Sequence, residues 1–231
     1  MPFVVKPPAM VAVPVYGSVQ SFPVHRIYCV GRNYADHAVE MGHSGREAPF
    51  FFMKPADAVL LAGSDGVAHM PYPSLTQNLH HEVELVVAIG QGGSHIAVGD
   101  ALMHVYGYAV GLDMTRRDLQ NTMKQQGRPW CIGKGFDHSA PVGSITPASQ
   151  VPGLGQARIA LQVNGQTRQQ GRIDQLIWSI AETIAQLSEA WHLQAGDLIF
   201  TGTPAGVAAV VSGDVLEAQV DGLQPLQVRI V

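Results

Sequence analysis

Charge is scarce in this chain. Only 14% of its 231 residues are charged, with 14 Lys and Arg against 18 Asp and Glu, giving a net charge of −4 and a pI near 6.2. No basic run occurs, so the electrostatic footprint of a nucleic-acid or anionic-membrane binder is missing. Cysteine is nearly absent: Cys29 and Cys131 each sit among apolar residues, which predicts two buried free thiols in a reducing compartment rather than a disulfide. No apolar run approaches 18 residues, so no membrane span is expected. The opening MPFVVKPPAMVAVPV lacks a basic stretch ahead of an unbroken apolar one, because Pro2, Pro7, Pro8 and Pro14 interrupt it. A secretory signal is therefore not expected, and a cytoplasmic location is.

Apolar residues, at 46%, are plentiful enough for a sizeable core, and 25 Gly with 15 Pro imply many turns. With the Val-rich runs they favour β structure. No linker, repeat or low-complexity segment divides the chain, so residues 1–231 read as one domain with residues 1–24 as an extended, proline-punctuated arm. Short strands are expected near Met10–Val15 and at Arg26–Val30. Asn33 to Gly42 reads as a short helix with Asn33 as N-cap and Gly42 just past its end. Asn164-Gly165 predicts a hairpin turn within 160–169. Leu176, Ile177, Ile180, Ile184, Leu187 and Trp191 recur at helical spacing, which predicts an amphipathic helix within 173–192.

The stretch His80-His81-Glu82-Val83-Glu84-Leu85-Val86-Val87-Ala88-Ile89 reads as a strand. Val83, Leu85, Val87 and Ile89 alternate onto one face. Glu82 and Glu84 then point the same way, ~7 Å apart along the chain. Two carboxylates heading an otherwise apolar strand repel one another and call for a cation between them or a retained proton. A hard divalent ion suits all-oxygen donors; the plainer alternative is an exposed acidic strand end. Val105–Asp113 is a second strand, with Gly107, Ala109 and Gly111 on the face of Asp113. Thr115-x-x-Asp118 reads as a capping box opening a helix to about Gln125, on which Arg117 and Gln120 share a face. Arg117 is suited to gripping a carboxylate. GRPWCIGKG presents Lys134 without a phosphate-loop pattern. His37 and Glu40, three apart, have the spacing of a base oriented by a carboxylate or of an ordinary surface pair. Lys54 is open between a pocket lining and a solvated lysine.

The blocks IYCVGRNYADHAVEMG, FFFMKPADAV, HHEVELVVAIG, YGYAVGLDMTRRDLQ, WCIGKGFDHSAPVG and GDLIFTGTPAGV occur in this order over about residues 26–210. Together they resemble the fumarylacetoacetate hydrolase superfamily, and most closely its acylpyruvate-hydrolase branch of bacterial fumarylpyruvate hydrolases. The resemblance implies a β-rich α+β fold, with a mixed sheet rolled into a flattened barrel-like core and short peripheral helices, and a homodimer. It implies a magnesium or manganese ion held by Glu82, Glu84 and Asp113, substrate contacts from Arg117, Gln120 and Thr203, and catalytic roles for His37, Glu40 and Lys134. The implied activity is hydrolysis of a carbon–carbon bond in a ketonic oxo-acid, fumarylpyruvate to fumarate and pyruvate, as in gentisate-type aromatic degradation. The alternatives are decarboxylation of an oxaloacetate-type β-keto acid or isomerisation of an oxo-acid on the same metal–enolate chemistry, and, in another class, a non-catalytic metal- or ligand-binding module.

Overall fold

The computed structural model describes residues 2–34, 46–151 and 153–231. In chain order its strands are β1 (Ala12–Pro14), β2 (Ser21–Pro23), β3 (Ile27–Gly31), β4 (Phe50–Lys54), β5 (Val59–Leu60), β6 (Ala68–Met70), β7 (Leu79–His80), β8 (Val83–Ile89), β9 (Val105–Leu112), β10 (Thr115–Arg116), β11 (Ala140–Pro141), β12 (Thr146–Pro147), β13 (Arg158–Val163), β14 (Gln166–Arg172), β15 (Leu198–Phe200), β16 (Ala209–Val210), β17 (Val215–Val220) and β18 (Leu226–Ile230). The α-helices among the described residues are α1 (Arg117–Gln125), α2 (Cys131–Lys134) and α3 (Ile180–Ala190).

Two sheets form the body. A six-stranded sheet runs β12-β9-β8-β15-β3-β4, and a five-stranded sheet runs β14-β13-β17-β18-β6. Both are mixed: β15 with β3 and β18 with β6 are parallel, while the other ladders of these two sheets are antiparallel. Among the described residues no sheet closes on itself. The flattened barrel implied by the resemblance is thus replaced by open sheets facing one another. Val83, Leu85, Val87 and Ile89 pack with Ile159, Leu161, Leu216 and Val228 of the facing sheet in one core cluster. Val86 and Ala88 point the other way, into a second cluster with Ile27, Cys29, Phe200 and the arm residues Val13 and Phe22. Strand β8 is therefore buried on both faces, as its nearly continuous apolar run requires.

The register of β8 against β9 decides where chemistry can occur. Val83 faces Leu112 and Glu84 faces Gly111, and Asp113 N–H donates to the Glu82 carbonyl at 2.9 Å. Glu82 and Asp113 are thereby set opposite each other at the strand ends, on the face that carries Glu84. Gly111 has to be small: a Cβ there would run into the Val86 side chain and the Phe200 ring. On the other side of β8, β15 ends opposite Val86, so the following Thr201 and Gly202 lie alongside Leu85 and Glu84.

Three local readings need correction. Thr115 lies in β10 rather than at a helix cap: its hydroxyl donates to the Asp113 carbonyl, and Asp118 accepts from Thr76, Gln77 and Leu119 instead. The helix expected within 173–192 begins only at Ile180, because Ser179 and Glu182 form a capping box there; Ile173–Gln175 is a single 3₁₀ turn. Cys131 is exposed at the start of α2, whereas Cys29 is buried, and both are free thiols. The expected hairpin is present. Asn164 and Gly165 take φ of 51° and 75°, as a two-residue turn between right-twisted strands demands. The helix read from Asn33 to Gly42 falls largely outside the described residues. Asn33 itself is fully buried: its amide donates to the carbonyls of Trp178 and Thr201 and accepts from Trp178 N–H.

Asn33→Leu keeps the volume but leaves one N–H and two carbonyls unmatched in the interior. We expect a loss of about 2–4 kcal/mol in urea unfolding; a loss under about 1 kcal/mol would show that solvent reaches these groups.

Candidate metal centre and active site

Glu82, Glu84 and Asp113 are all buried, and one carboxylate oxygen of each lies within 4.8 Å of the others. Among the described residues three cations surround them. Lys134, delivered by α2, donates to Glu82 Oε2 at 2.8 Å and to Asp113 Oδ2 at 2.6 Å. Arg117, in the first turn of α1, pairs with Glu82 Oε1. Lys54, at the end of β4, sits 2.8 Å from Asp113 Oδ1 and donates to the carbonyls of Met114 and Lys134. Three carboxylates thus face three cations.

Glu84 has the least support. It accepts from Gly202 N–H at 2.7 Å, yet burial, followed by the charges of Asp113 and Glu82, pushes its carboxyl well above the ordinary carboxylate range. Lys134 is the reverse case. Burial works against its charge, but Asp113 and Glu82 prevail and its pKa is raised, so it is an ammonium at neutral pH. His80, beside Arg117, is driven down to about 4 by burial and the guanidinium, and is a neutral imidazole.

The residues fit a hard divalent cation. The donors are all oxygen. Asp113 Oδ1 is buried without an aligned hydrogen bond, for Lys54 approaches it as a charge only. Burial and the neighbouring acids raise the Glu84 carboxyl, and a divalent cation among the three would offset both.

Counting donors separates structural from available groups. Lys54 donates to the Met114 and Lys134 carbonyls and pairs by charge with Asp113, so it holds Asp113 and the Lys134 backbone in place. Lys134 keeps one N–H. Arg117 uses one N–H each on His80, Gln120 and Glu82, leaving two. Gln120 accepts from Arg117 through Oε1, so its NH₂ is turned free. Thr203 is nearly spent: its hydroxyl donates to the Val83 carbonyl and accepts from Gln169, both at 2.8 Å. Glu82, Glu84, Asp113, Arg117, Gln120 and Thr203 line a single pocket, which Lys134 also borders. His37 and Glu40 lie outside the described residues.

A protein-family model described as "Fumarylacetoacetate (FAA) hydrolase C-terminal" matches residues 26–231. The chain belongs to the fumarylacetoacetate hydrolase family. Within it, the crystal structure of fumarylpyruvate hydrolase from Pseudomonas aeruginosa, in complex with Mn²⁺ and pyruvate, is 55% identical, covers 100% of this chain and 99% of that one, and superposes with a TM-score of 0.97. A fumarylpyruvate hydrolase of a Ralstonia species is 45% identical over 184 residues, 80% of this chain and 93% of the relative. The mitochondrial oxaloacetate tautomerase of Rattus norvegicus is 42% identical over 204 residues, 88% of this chain and 90% of the relative.

Sequence reasoning left Lys54 open and passed over two further residues of this member of the family. Gln169 hydrogen-bonds His81, Val83 N–H, Thr203 and the Pro204 carbonyl at once, tying the five-stranded sheet to the site. It stands in a run of polar residues in β14, TRQQGR, where nothing marks one glutamine as buried. Arg32 follows the Gly31 that ends β3 and lines the pocket; its signal was the block GRNY.

The raised Glu84 carboxyl has a consequence for metal-free protein. The folded state keeps a proton that the unfolded chain gives up above the ordinary value of 4.5. Folding is unpenalised below that value and loses stability as pH rises from it toward the folded pKa. Glu84→Gln removes this slope. Without metal, the variant should match wild type near about pH 4 and out-melt it increasingly toward about pH 8; a difference flat with pH would contradict the protonated carboxyl.

Proposed function

We propose that this protein is a divalent-metal-dependent acylpyruvate hydrolase that cleaves fumarylpyruvate to fumarate and pyruvate. The observation that carries this reading is the buried Glu82–Glu84–Asp113 cluster within 4.8 Å, in a chain 55% identical to the fumarylpyruvate hydrolase described with Mn²⁺ and pyruvate. Magnesium or manganese is the metal we assign, held by these three carboxylates. When bound, the ion supplies Lewis-acid polarisation to an oxo-acid's adjacent oxygens. Added to three carboxylates and three cations, it makes the site net positive and receptive to an anionic substrate.

The chain's own groups then divide the work. The two spare N–H bonds of Arg117 and the free amide of Gln120 orient the oxo-acid end. The remaining N–H of Lys134 faces negative charge developing on oxygen, in a buried setting where such a donor is most effective. His37, oriented by Glu40, takes a proton from water, whose oxygen bonds to the distal ketone carbon. The bond from that carbon to the pyruvate methylene breaks. Its electron pair passes into the pyruvate enolate, which is protonated to pyruvate as the acyl part leaves as fumarate. Thr203 shapes the pocket wall through its bonds to β8 and Gln169. We further assign the chain to one catalytic domain, a homodimer and the cytoplasm, in aromatic catabolism.

A second reading, tautomerisation of oxaloacetate, is favoured by the 42% identical rat relative. It shares the enolate but needs no water attack, so the two separate on product.

Purified protein with fumarylpyruvate should lose the enol-diketone absorbance in a magnesium- or manganese-dependent reaction that EDTA stops, with one pyruvate per substrate. Absence of pyruvate alongside rapid keto–enol exchange of oxaloacetate would move the protein to the second reading. His37→Ala should lose on the order of 10²–10⁴ in turnover with metal affinity retained; wild-type turnover would remove His37 from the chemistry.

A further inference from the structure

One strong cation in the pocket takes no part in the charge balance of the metal centre. Arg32 lines the same cavity as Glu82, Glu84 and Asp113. Its Nη1 is buried and has no hydrogen-bond partner among the described residues. Its guanidinium carbon lies 4.8 Å above the centre of the Phe50 ring. Buried arginine nitrogens are ordinarily paired, since the group brings five donors and no acceptor. An unpaired one on a residue that lines a ligand cavity leaves a donor for an acceptor there.

The backbone holds Arg32 there at some cost. Its φ is 54°, in the left-handed region that arginine seldom enters. On one side stands Gly31, where a Cβ would overlap the Phe50 ring; on the other stands Asn33, locked by its bonds to Trp178 and Thr201. The ring of Phe50 thus lies against the Gly31 main chain with the Arg32 guanidinium over it. Trp130 meets Phe50 edge-on at 5.5 Å and Phe52 at 5.9 Å. These three aromatics line the pocket, and Lys124 adds a second positive charge at its exposed rim.

The pocket therefore has two differently built regions. One has three carboxylates balanced by Lys54, Lys134 and Arg117. The other has flat apolar walls and an arginine without an acidic partner among the described residues. We infer that Arg32 is the anchor for a second carboxylate, at the far end of the acyl tail, and that the Phe50–Phe52–Trp130 walls take the planar unsaturated segment between the two charged ends. The inference rests on the acylpyruvate reading of the site and narrows it to dicarboxylic substrates. Planar guanidinium suits a carboxylate bidentately, which a lysine at this position would not reproduce.

The test compares fumarylpyruvate, which has the distal carboxylate, with acetylpyruvate, which lacks it, in wild type, Arg32→Met and Arg32→Lys. Methionine keeps the stem over Phe50, and thermal melts of the metal-loaded proteins monitor folding. The ratio of kcat/KM for fumarylpyruvate over acetylpyruvate should fall about 10–100-fold in Arg32→Met, the size of a charge-assisted hydrogen bond, mostly through KM. Arg32→Lys should recover part of it. The neutral distal methyl ester of fumarylpyruvate should lose a similar factor in wild type and little more in the variant. A ratio unmoved by Arg32→Met, because both substrates fall equally or neither does, overturns the assignment. Wild-type protein inert toward both substrates sinks the hydrolase reading itself, and the tail subsite with it.

Discussion

The site depends on a balance of buried charge. Glu82, Glu84 and Asp113 are withdrawn from water at the mouth of a strand pair that is otherwise apolar, and a buried carboxylate without compensation is among the costliest groups a protein can hold. Compensation arrives from three separate places: Lys54 from the end of β4, Arg117 from α1 and Lys134 from α2. Each cation is itself buried, so none would be tolerated without the acids. Anions and cations are mutually obligatory, and the elements that deliver the cations are positioned by them as much as by their own packing. Glu84 is the member left short, and that shortfall is what a divalent ion would relieve.

The division of donors follows from the same arrangement. Lys54 is buried, bonded to two main-chain carbonyls and paired with Asp113, and acts by positioning. Lys134, Arg117 and Gln120 each retain a donor after satisfying their neighbours. All three residues line the pocket that the acids line, while Gly202 N–H holds Glu84 from the end of β15. A site of this kind needs little rearrangement to stabilise charge that develops on a substrate oxygen, because its dipoles are already fixed by the acids behind them. Arg32 forms no hydrogen bond with this network among the described residues, while Phe52 joins the aromatic wall to it, with the Lys134 ammonium 5.0 Å from its ring centre; this wall suits the other end of an elongated substrate.

Much of this was legible in the residues. Period-two alternation marked β8, and Asn164-Gly165 marked a hairpin, because strand pleat and turn geometry are local properties of the chain. The Glu-x-Glu pair was visible for the same reason. Local signals misled where several elements compete for one polar side chain. Thr115 and Asp118 have capping-box spacing, but the ladder with β7 and the Thr76 loop offered better partners. The periodic stripe from Leu176 outran the helix, since Ser179 and Glu182 impose a start that hydrophobic spacing does not register. Cys131 looked buried by composition, yet a four-residue helix at the surface exposes it.

By itself the sequence determined the strands, the turn, the paired acids, and, through six ordered blocks of residues, the family. Only the tertiary structure decided that Glu84 faces Gly111 and that Glu82 meets Asp113, which is a matter of cross-strand register between residues some thirty positions apart. It alone decided that Lys54 is buried against Asp113, a residue remote in sequence, rather than solvated. It alone placed Arg32 over Phe50 with a nitrogen unpaired. Pairing and burial depend on which distant segments share a small volume, and composition and periodicity, being properties of neighbouring residues, do not contain that information.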